Sequence, residues 1–170
     1  MNNYNRSILE LFYAKKINSN ELMVMMEKGK PNMPKFIFDE LTFAINIRSS
    51  DDIEDVILLL FIFPEVEREI FITPLCGLIL QDWHYKHEDI ATLFQDWKDP
   101  RTINALYETT NRPFTYLEYD DSYALAVKCI WALGDIATEG AFDKLKILST
   151  SKNPVIKENA CYQLKKHAVL

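Results

Sequence analysis

Apolar residues recur along this chain with the spacing of short amphipathic helices. Three windows align when Ile47, Trp97 and Ile136 are placed together: "AINIRSSDDIEDVILLL", "LFQDWKDPRTINALYET" and "ALGDIATEGAFDKLKIL". Apolar residues also align before and after these anchors at multiples of three positions, the spacing of one helix face. These columns are Ala44, Phe94 and Leu133, then Ile53, Ile103 and Phe142, then Val56, Leu106 and Leu145. Each window therefore predicts a helix, a short polar turn and a second helix.

The polar turns carry the residues that stop and start helices. "SSDD", "KDPR" and "ATEG" each offer a capping residue or a proline at the first helical position, as Asp99 does before Pro100. A fourth half-unit follows, because Leu125, Cys129 and Leu133 recur 31 positions later as Ile156, Ala160 and Leu164. Its helix is predicted to start at Asn153 and Pro154.

Composition favours a soluble helical protein. The 170 residues are 48% hydrophobic and include only four glycines, too few for a turn-rich all-β chain. We expect one all-α domain, with N-terminal helices in residues 1–33 and repeats in residues 34–170. No secretory signal and no run of about 20 apolar residues is present, so we expect a cytoplasmic protein without a membrane segment. The three cysteines lack C-x-x-C spacing and predict buried thiols.

Negative charge is concentrated in the middle of the chain. The formal net charge is −6, and residues 82–121 hold nine acidic and only four basic side chains. Eight aromatic residues also fall between Trp83 and Tyr119. An acidic field repels phosphate backbones and attracts cationic proteins. We therefore expect a basic protein partner and no direct binding of nucleic acid.

Two segments in the C-terminal part of the chain resemble a known repeat family. "NPVIKENACYQL" and "ALGDIATEGAFDKL" are similar to bacterial HEAT-like repeats of the phycobilisome-lyase type. The resemblance covers roughly residues 34–164 and implies an α–α superhelix, a solenoid of antiparallel helix pairs. Such solenoids expose a long surface used to bind proteins.

A longer stretch resembles a narrower group. "DWHYKHEDIATLFQDWKDPRTINALYETT" followed by "TYLEYDDSYALAVKCIWALGDIAT" is similar to HEAT-repeat immunity proteins of contact-dependent and polymorphic toxin systems. The resemblance implies a small acidic protein that binds a cognate toxin domain, here a basic nuclease of the RNase or DNase kind. Acidity and solubility agree independently with such a role.

A group of two histidines and two carboxylates permits a second interpretation. His84, His87, Glu88 and Asp89 lie within six positions, and the His87–Glu88 dipeptide resembles those of HEAT-like deoxyhypusine hydroxylases. That resemblance implies a di-iron site built from several such dipeptides, and this chain has one. Half a ligand set predicts no metal site. We expect Glu88 and Asp89 in the first turn of a helix, where its dipole favours them. His84 and Tyr85 are expected to be exposed in the preceding loop.

An inserted loop supplies the other contact candidates. "NRPFTYLEYDDSY" lengthens the connection between the second and third windows by eight residues, and solenoid insertions gather on one face. We expect Phe114 and Leu117 to pack beneath the loop and either Asp120 or Asp121 to cap the next helix. The candidate partner-binding residues are His84, Tyr85, His87, Glu88, Tyr116, Glu118, Tyr119, Asp120, Asp121 and Tyr123.

The pattern predicts binding rather than catalysis. No glycine-rich phosphate loop or G-x-S-x-G nucleophile turn is present, and Cys76 lies in an apolar setting that makes its thiol inert. We therefore predict a non-enzymatic protein without a cofactor that neutralises a toxin by covering its active or substrate-binding surface. A generic HEAT-repeat adaptor is the alternative, followed by a metal-dependent HEAT-like oxygenase.

Overall fold

The computed structural model describes residues 1, 3–30, 32–63 and 67–169 and shows them to be all-helical. Two short 3-10 turns cover Pro100–Thr102 and Thr115–Leu117. Within the described ranges there is no strand, which confirms the predicted all-α class. The helices are α1 (Asn3–Tyr13), α2 (Ser19–Glu27), α3 (Met33–Ile47), α4 (Ser50–Ile62), α5 (Glu69–Leu78), α6 (His87–Trp97), α7 (Ile103–Thr110), α8 (Ala124–Ile136), α9 (Glu139–Leu148) and α10 (Pro154–Lys166).

The chain divides into two compact units, residues 1–70 and 71–170. The predicted division into residues 1–33 and 34–170 stays a prediction, and residues 2, 31, 64–66 and 170 within it lie outside the described ranges. None of the described helices is both long enough and apolar enough to cross a membrane.

The first unit contains α1 to α4. Helix α1 packs against α2, and α3 packs against α4. An ion pair and a hydrogen bond join α1 to α4. The Arg6 guanidinium lies 2.7 Å from the Asp52 carboxylate, and the Tyr13 hydroxyl donates to Asp55 over 2.8 Å. Fully buried apolar side chains form its core, among them Leu22, Ile37, Leu41, Ile53 and Val56.

The second unit is organised around α8. Helix α8 packs against α6 and α10, and it also contacts α7 and α9, which pack against each other. The core side chains of this unit with no exposed surface include Phe94, Leu106, Leu133, Leu145 and Leu164. The predicted contact residues all belong to this unit.

The three predicted turns share one backbone conformation. The residue that follows the first helix of each window has a left-handed φ, +51° at Arg48, +55° at Lys98 and +53° at Ala137. The next residue is extended, and its side-chain oxygen accepts a backbone N–H of the following helix or 3-10 turn; these residues are Ser49, Asp99 and Thr138. The helix–turn–helix prediction is therefore confirmed in all three windows. Asn153 and Pro154 start α10 as predicted.

Most of the apolar residues aligned between the three windows are buried in the core. Ala44, Phe94 and Leu133 have no exposed surface, and neither do Val56, Leu106 and Leu145. The residues that repeat with the 31-residue period are also buried. Cys129 and Leu133 in α8 have no exposed surface, and neither do Ala160 and Leu164 in α10. Burial is less uniform at the anchor positions, because Ile47 at the end of α3 is 52% exposed.

Candidate partner-binding site

Three loops of the second unit lie side by side. Residues 79–86 precede α6, residues 111–123 precede α8 and residues 149–153 precede α10. The Tyr85 ring packs edge-on against the Tyr116 ring at 5.2 Å, which joins the first loop to the second. A cleft of about 560 Å³ lies between the second loop and the third. We call these three segments the loop edge.

The loop edge exposes several tyrosines together with carboxylates. Tyr119 is 95% exposed, Tyr85 64% and Tyr123 44%. Glu118 and Asp121 are exposed beside them in the second loop. The structure therefore brings most of the predicted contact residues to one edge of this unit. Large exposed aromatic side chains gathered in one region are typical of protein-binding surfaces.

The expectation of an exposed His84 is wrong, because its imidazole is completely buried. Its Nε2–H donates to the Leu78 carbonyl over 2.8 Å, and the Lys86 backbone N–H donates to its Nδ1 over 3.1 Å. These bonds tie the first loop to the end of α5. His84 therefore supports the loop from inside and its side chain cannot contact a partner.

The assignment of His87 as a contact residue is corrected for the same reason. Its ring is also fully buried, at 4.1 Å from the His84 ring in a nearly parallel stack. Its Nε2–H donates to the Gln81 carbonyl over 2.6 Å, and the Tyr116 hydroxyl donates to its Nδ1 over 2.8 Å. His87 thus connects the first loop to the second.

Both histidines are neutral at pH 7. Burial lowers the pKa of His84. Burial lowers the pKa of His87 to about 4, and the neighbouring His84 contributes to the same shift. All four ring nitrogens are used in hydrogen bonds, which leaves no lone pair for a metal ion. The described part of the chain also contains no group of three His, Cys, Asp or Glu side chains placed to hold a metal.

Tyr116 supports the loop more than it presents a surface. Its ring is half-buried and lies at 5.5 Å from the His87 ring. Burial raises the pKa of its hydroxyl to about 12, and the Glu88 and Asp89 carboxylates add to the shift. Phe114 packs beneath it at 4.0 Å from His87 and is buried, as predicted.

Of the two candidate aspartates, Asp120 is the one that bonds to the start of α8. Its Oδ1 accepts the Ser122 N–H over 3.0 Å, and its Oδ2 accepts the Ala124 N–H at the start of α8 over 2.9 Å. Bonds from Ser122 and Ala124 lower the pKa of Asp120. Asp121 is exposed next to it. The expected bond from one of the two aspartates to the start of the helix is present, although Tyr123 occupies the N-cap position itself.

The first-turn carboxylates of α6 are already paired. Glu88 lies 3.2 Å from the Lys128 ammonium of α8, and Asp89 lies 3.4 Å from Lys86. Both sit at the helix N-terminus as predicted. Because these pairs compensate their charge, Glu118 and Asp121 are the carboxylates best placed to meet a partner.

Two features of this unit were missed at the sequence level. The third loop contributes Ser151 and Asn153 to the cleft, although its sequence indicates only the start of a helix at Asn153. The Trp131 and Tyr162 rings stack at 5.6 Å between α8 and α10. They are separated by the same 31 positions as the core columns, so the period could have identified this pair.

No family model, curated protein or solved structure matches the chain. The role of the loop edge is therefore inferred from its geometry and from the chemistry of its side chains.

Proposed function

We propose that the chain forms a HEAT-like α–α superhelix that binds another protein. The recurring corner at Arg48, Lys98 and Ala137 supports a repeated helix pair. The 31-residue period shared by α8 and α10 supports the same interpretation. Repeats of this kind stack on their neighbours and hold their connecting loops on one side.

The binding surface in this proposal is the loop edge. The main observation in support of this surface is the exposure of Tyr119, Tyr85 and Tyr123 on loops that lie side by side. Tyrosines bury a large area on binding and lose little side-chain entropy, so they serve as anchors. The buried histidine stack fixes two of these loops before binding, which reduces the entropy lost on association.

The proposed partner is a cognate toxin domain with a basic surface, and the proposed role is that of an immunity protein. The net charge of −6 and the nine acidic residues between positions 82 and 121 support a cationic partner. The protein would cover the active or substrate-binding surface of the toxin and would catalyse no reaction. Electrostatic attraction would accelerate association and would weaken as salt rises.

Co-expression with the toxin domain encoded beside this protein tests the proposal. Cells should survive, and the two proteins should purify as one complex. Tyr119→Ala with Asp121→Asn should weaken the complex without unfolding the protein. Tyr4→Ala with Asp143→Asn is the matched control, since it removes an exposed tyrosine and an exposed aspartate elsewhere. Survival without a complex would contradict direct occlusion.

The generic adaptor remains the second candidate, because the same surface suits any basic protein. A complex with a basic protein that has no toxic activity would favour the adaptor. The loop edge and the histidine stack would keep their roles in that case, and only the biological partner would change.

A further inference from the structure

The cleft of the loop edge has an apolar floor. Its floor is formed by Phe114 from the second loop, Leu125 and Ala126 from α8, and Ile156 from α10, all of them buried side chains. Its volume of about 560 Å³ lies within the range of sites that hold a ligand of some size. The cleft therefore has room for a long side chain together with part of its backbone.

The rim of the cleft is predominantly acidic. Glu118, Asp120 and Asp121 line it, and Arg112 is the one cation among the described residues of the lining. Asp120 already accepts the backbone N–H groups of Ser122 and of Ala124, the first residue of α8. Arg112 is exposed, with its guanidinium 5.9 Å from the Phe114 ring. Glu118 and Asp121 thus leave a net negative rim above an apolar floor.

A side chain that fits this arrangement needs an apolar stem and a cationic end. Lysine and arginine both have such a stem and place their charge at its tip. Arginine fits better, because its planar guanidinium stacks on aromatic rings and binds carboxylates through two parallel hydrogen bonds. Tyr123 lines the cleft and supplies a partly exposed ring beside the carboxylates.

We propose that this cleft binds an arginine side chain of a protein partner, with the stem on the apolar floor and the guanidinium against Glu118, Asp121 and the Tyr123 ring. The inference rests on the proposed function for its biological meaning, since it specifies which chemical group of the basic partner is recognised. In this proposal the cleft recognises the arginine side chain, and the exposed tyrosines supply the surrounding contact area.

The test is an NMR titration of the full-length ¹⁵N-labelled protein with N-acetyl-arginine-methylamide. Saturable shifts are expected in amides of residues 109–126 and 151–156. The citrulline analogue is the matched probe, because it keeps the stem and the planar end group but lacks the charge. It should bind clearly more weakly than the arginine probe. The N-acetyl-glutamate analogue should cause no saturable shift.

Three variants make the test specific. Glu118→Gln with Asp121→Asn should weaken binding of the arginine probe roughly two- to thirtyfold, because exposed ion pairs contribute about 0.2–1 kcal/mol each. Arg112→Gln should strengthen it roughly two- to fivefold, since the competing cation is removed. Asp143→Asn, an exposed aspartate on α9, should have no effect.

Each outcome either supports or overturns the cleft assignment. Equal binding of the citrulline probe, tighter binding of the glutamate probe, shifts outside the cleft or an unaffected Glu118/Asp121 variant would overturn it. The toxin complex provides a separate measurement. Arginine binding without a toxin complex would reject the proposed function and retain the cleft. If the double variant Glu118→Gln with Asp121→Asn bound the toxin as tightly as the wild type, the proposed function would stand and the cleft assignment would be rejected.

Discussion

Gln163 is a buried amide that lies directly against Gly134. Its side chain has no exposed surface, and neither its nitrogen nor its oxygen has a hydrogen-bond partner within the described ranges. A Cβ built on Gly134 would stand 2.2 Å from the Gln163 Oε1. An alanine at position 134 would therefore force the buried Gln163 side chain to shift.

Gly134→Ala should destabilise the second unit by up to about 2 kcal/mol, because overpacking of the buried Gln163 side chain costs about 1–3 kcal/mol and the gain in helix propensity offsets about 1 kcal/mol of that cost. Urea unfolding followed by tryptophan fluorescence measures this unit, since Trp83, Trp97 and Trp131 all lie in it. Gly77→Ala in α5 is the matched control, as its Cβ meets nothing within 4 Å. The control should gain up to about 1 kcal/mol from helix propensity. Equal stability of Gly134→Ala and wild type would contradict the steric argument.

The stacked histidines make stability depend on pH. The pKa of His87 is lowered from 6.5 to about 4 in the folded chain, mainly by burial. The unfolded chain therefore binds more protons below pH 6.5, and folding stability is lost as pH falls from about 6.5 toward 4. His84 contributes in the same direction.

The double variant His84→Gln with His87→Gln tests this dependence. Its free energy of unfolding should fall less between pH 7 and pH 4.5 than that of the wild type, although it starts lower. Glutamine retains an N–H donor for the Leu78 and Gln81 carbonyls and has no titrating group. Parallel loss of stability in both proteins would assign the acid sensitivity to carboxylates elsewhere.

At the scale of the elements, the corners between paired helices are set by a left-handed residue that is not glycine. Arg48, Lys98 and Ala137 each follow the last residue of a helix. An L-residue in this conformation costs about 1–2 kcal/mol relative to the right-handed region. The helix stop is therefore enforced by the cap and by packing of the next helix.

Ala137→Gly should stabilise the second unit by about 0.5–1 kcal/mol, because glycine adopts φ of +53° without the steric cost. Ala137 is exposed, so little packing is lost. Ala105→Gly within α7 is the control and should instead destabilise by about 1 kcal/mol or more. The same fluorescence-detected unfolding measures both variants, and a loss of stability in Ala137→Gly would show that the corner is not strained.

At the scale of the whole molecule, the chain comprises two compact units that differ in what they carry. The first unit holds α1 to α4 and has its own buried core. The second holds the loop edge, the histidine stack and the core centred on α8. A core and a complete set of site residues within one unit are the properties of an independent domain.

A fragment of residues 67–170 should therefore fold on its own. It should show one cooperative unfolding transition in tryptophan fluorescence and dispersed amide resonances. The arginine probe provides a further measurement, since the fragment contains every residue of the cleft. A gradual transition without dispersed resonances would show that the second unit depends on the first.

The helix pairs of the three windows, their corners and the core columns follow from local patterns in the sequence. Each of these depends on residues a few positions apart, such as Asp99 and Arg101 or Asn153 and Val155. Periodicity and capping chemistry are therefore enough to predict them. The same local chemistry predicted that Asp120 or Asp121 would cap α8.

Which contact candidates reach the surface depends on contacts between residues that are far apart in the chain. The hydrogen bond from Tyr116 to His87 joins residues 29 positions apart, and it turns a predicted contact residue into an internal support. The cleft likewise joins the second loop to Ser151 and Asn153. Such contacts depend on how α6, α8 and α10 pack, and local patterns of apolar and polar residues do not encode that packing.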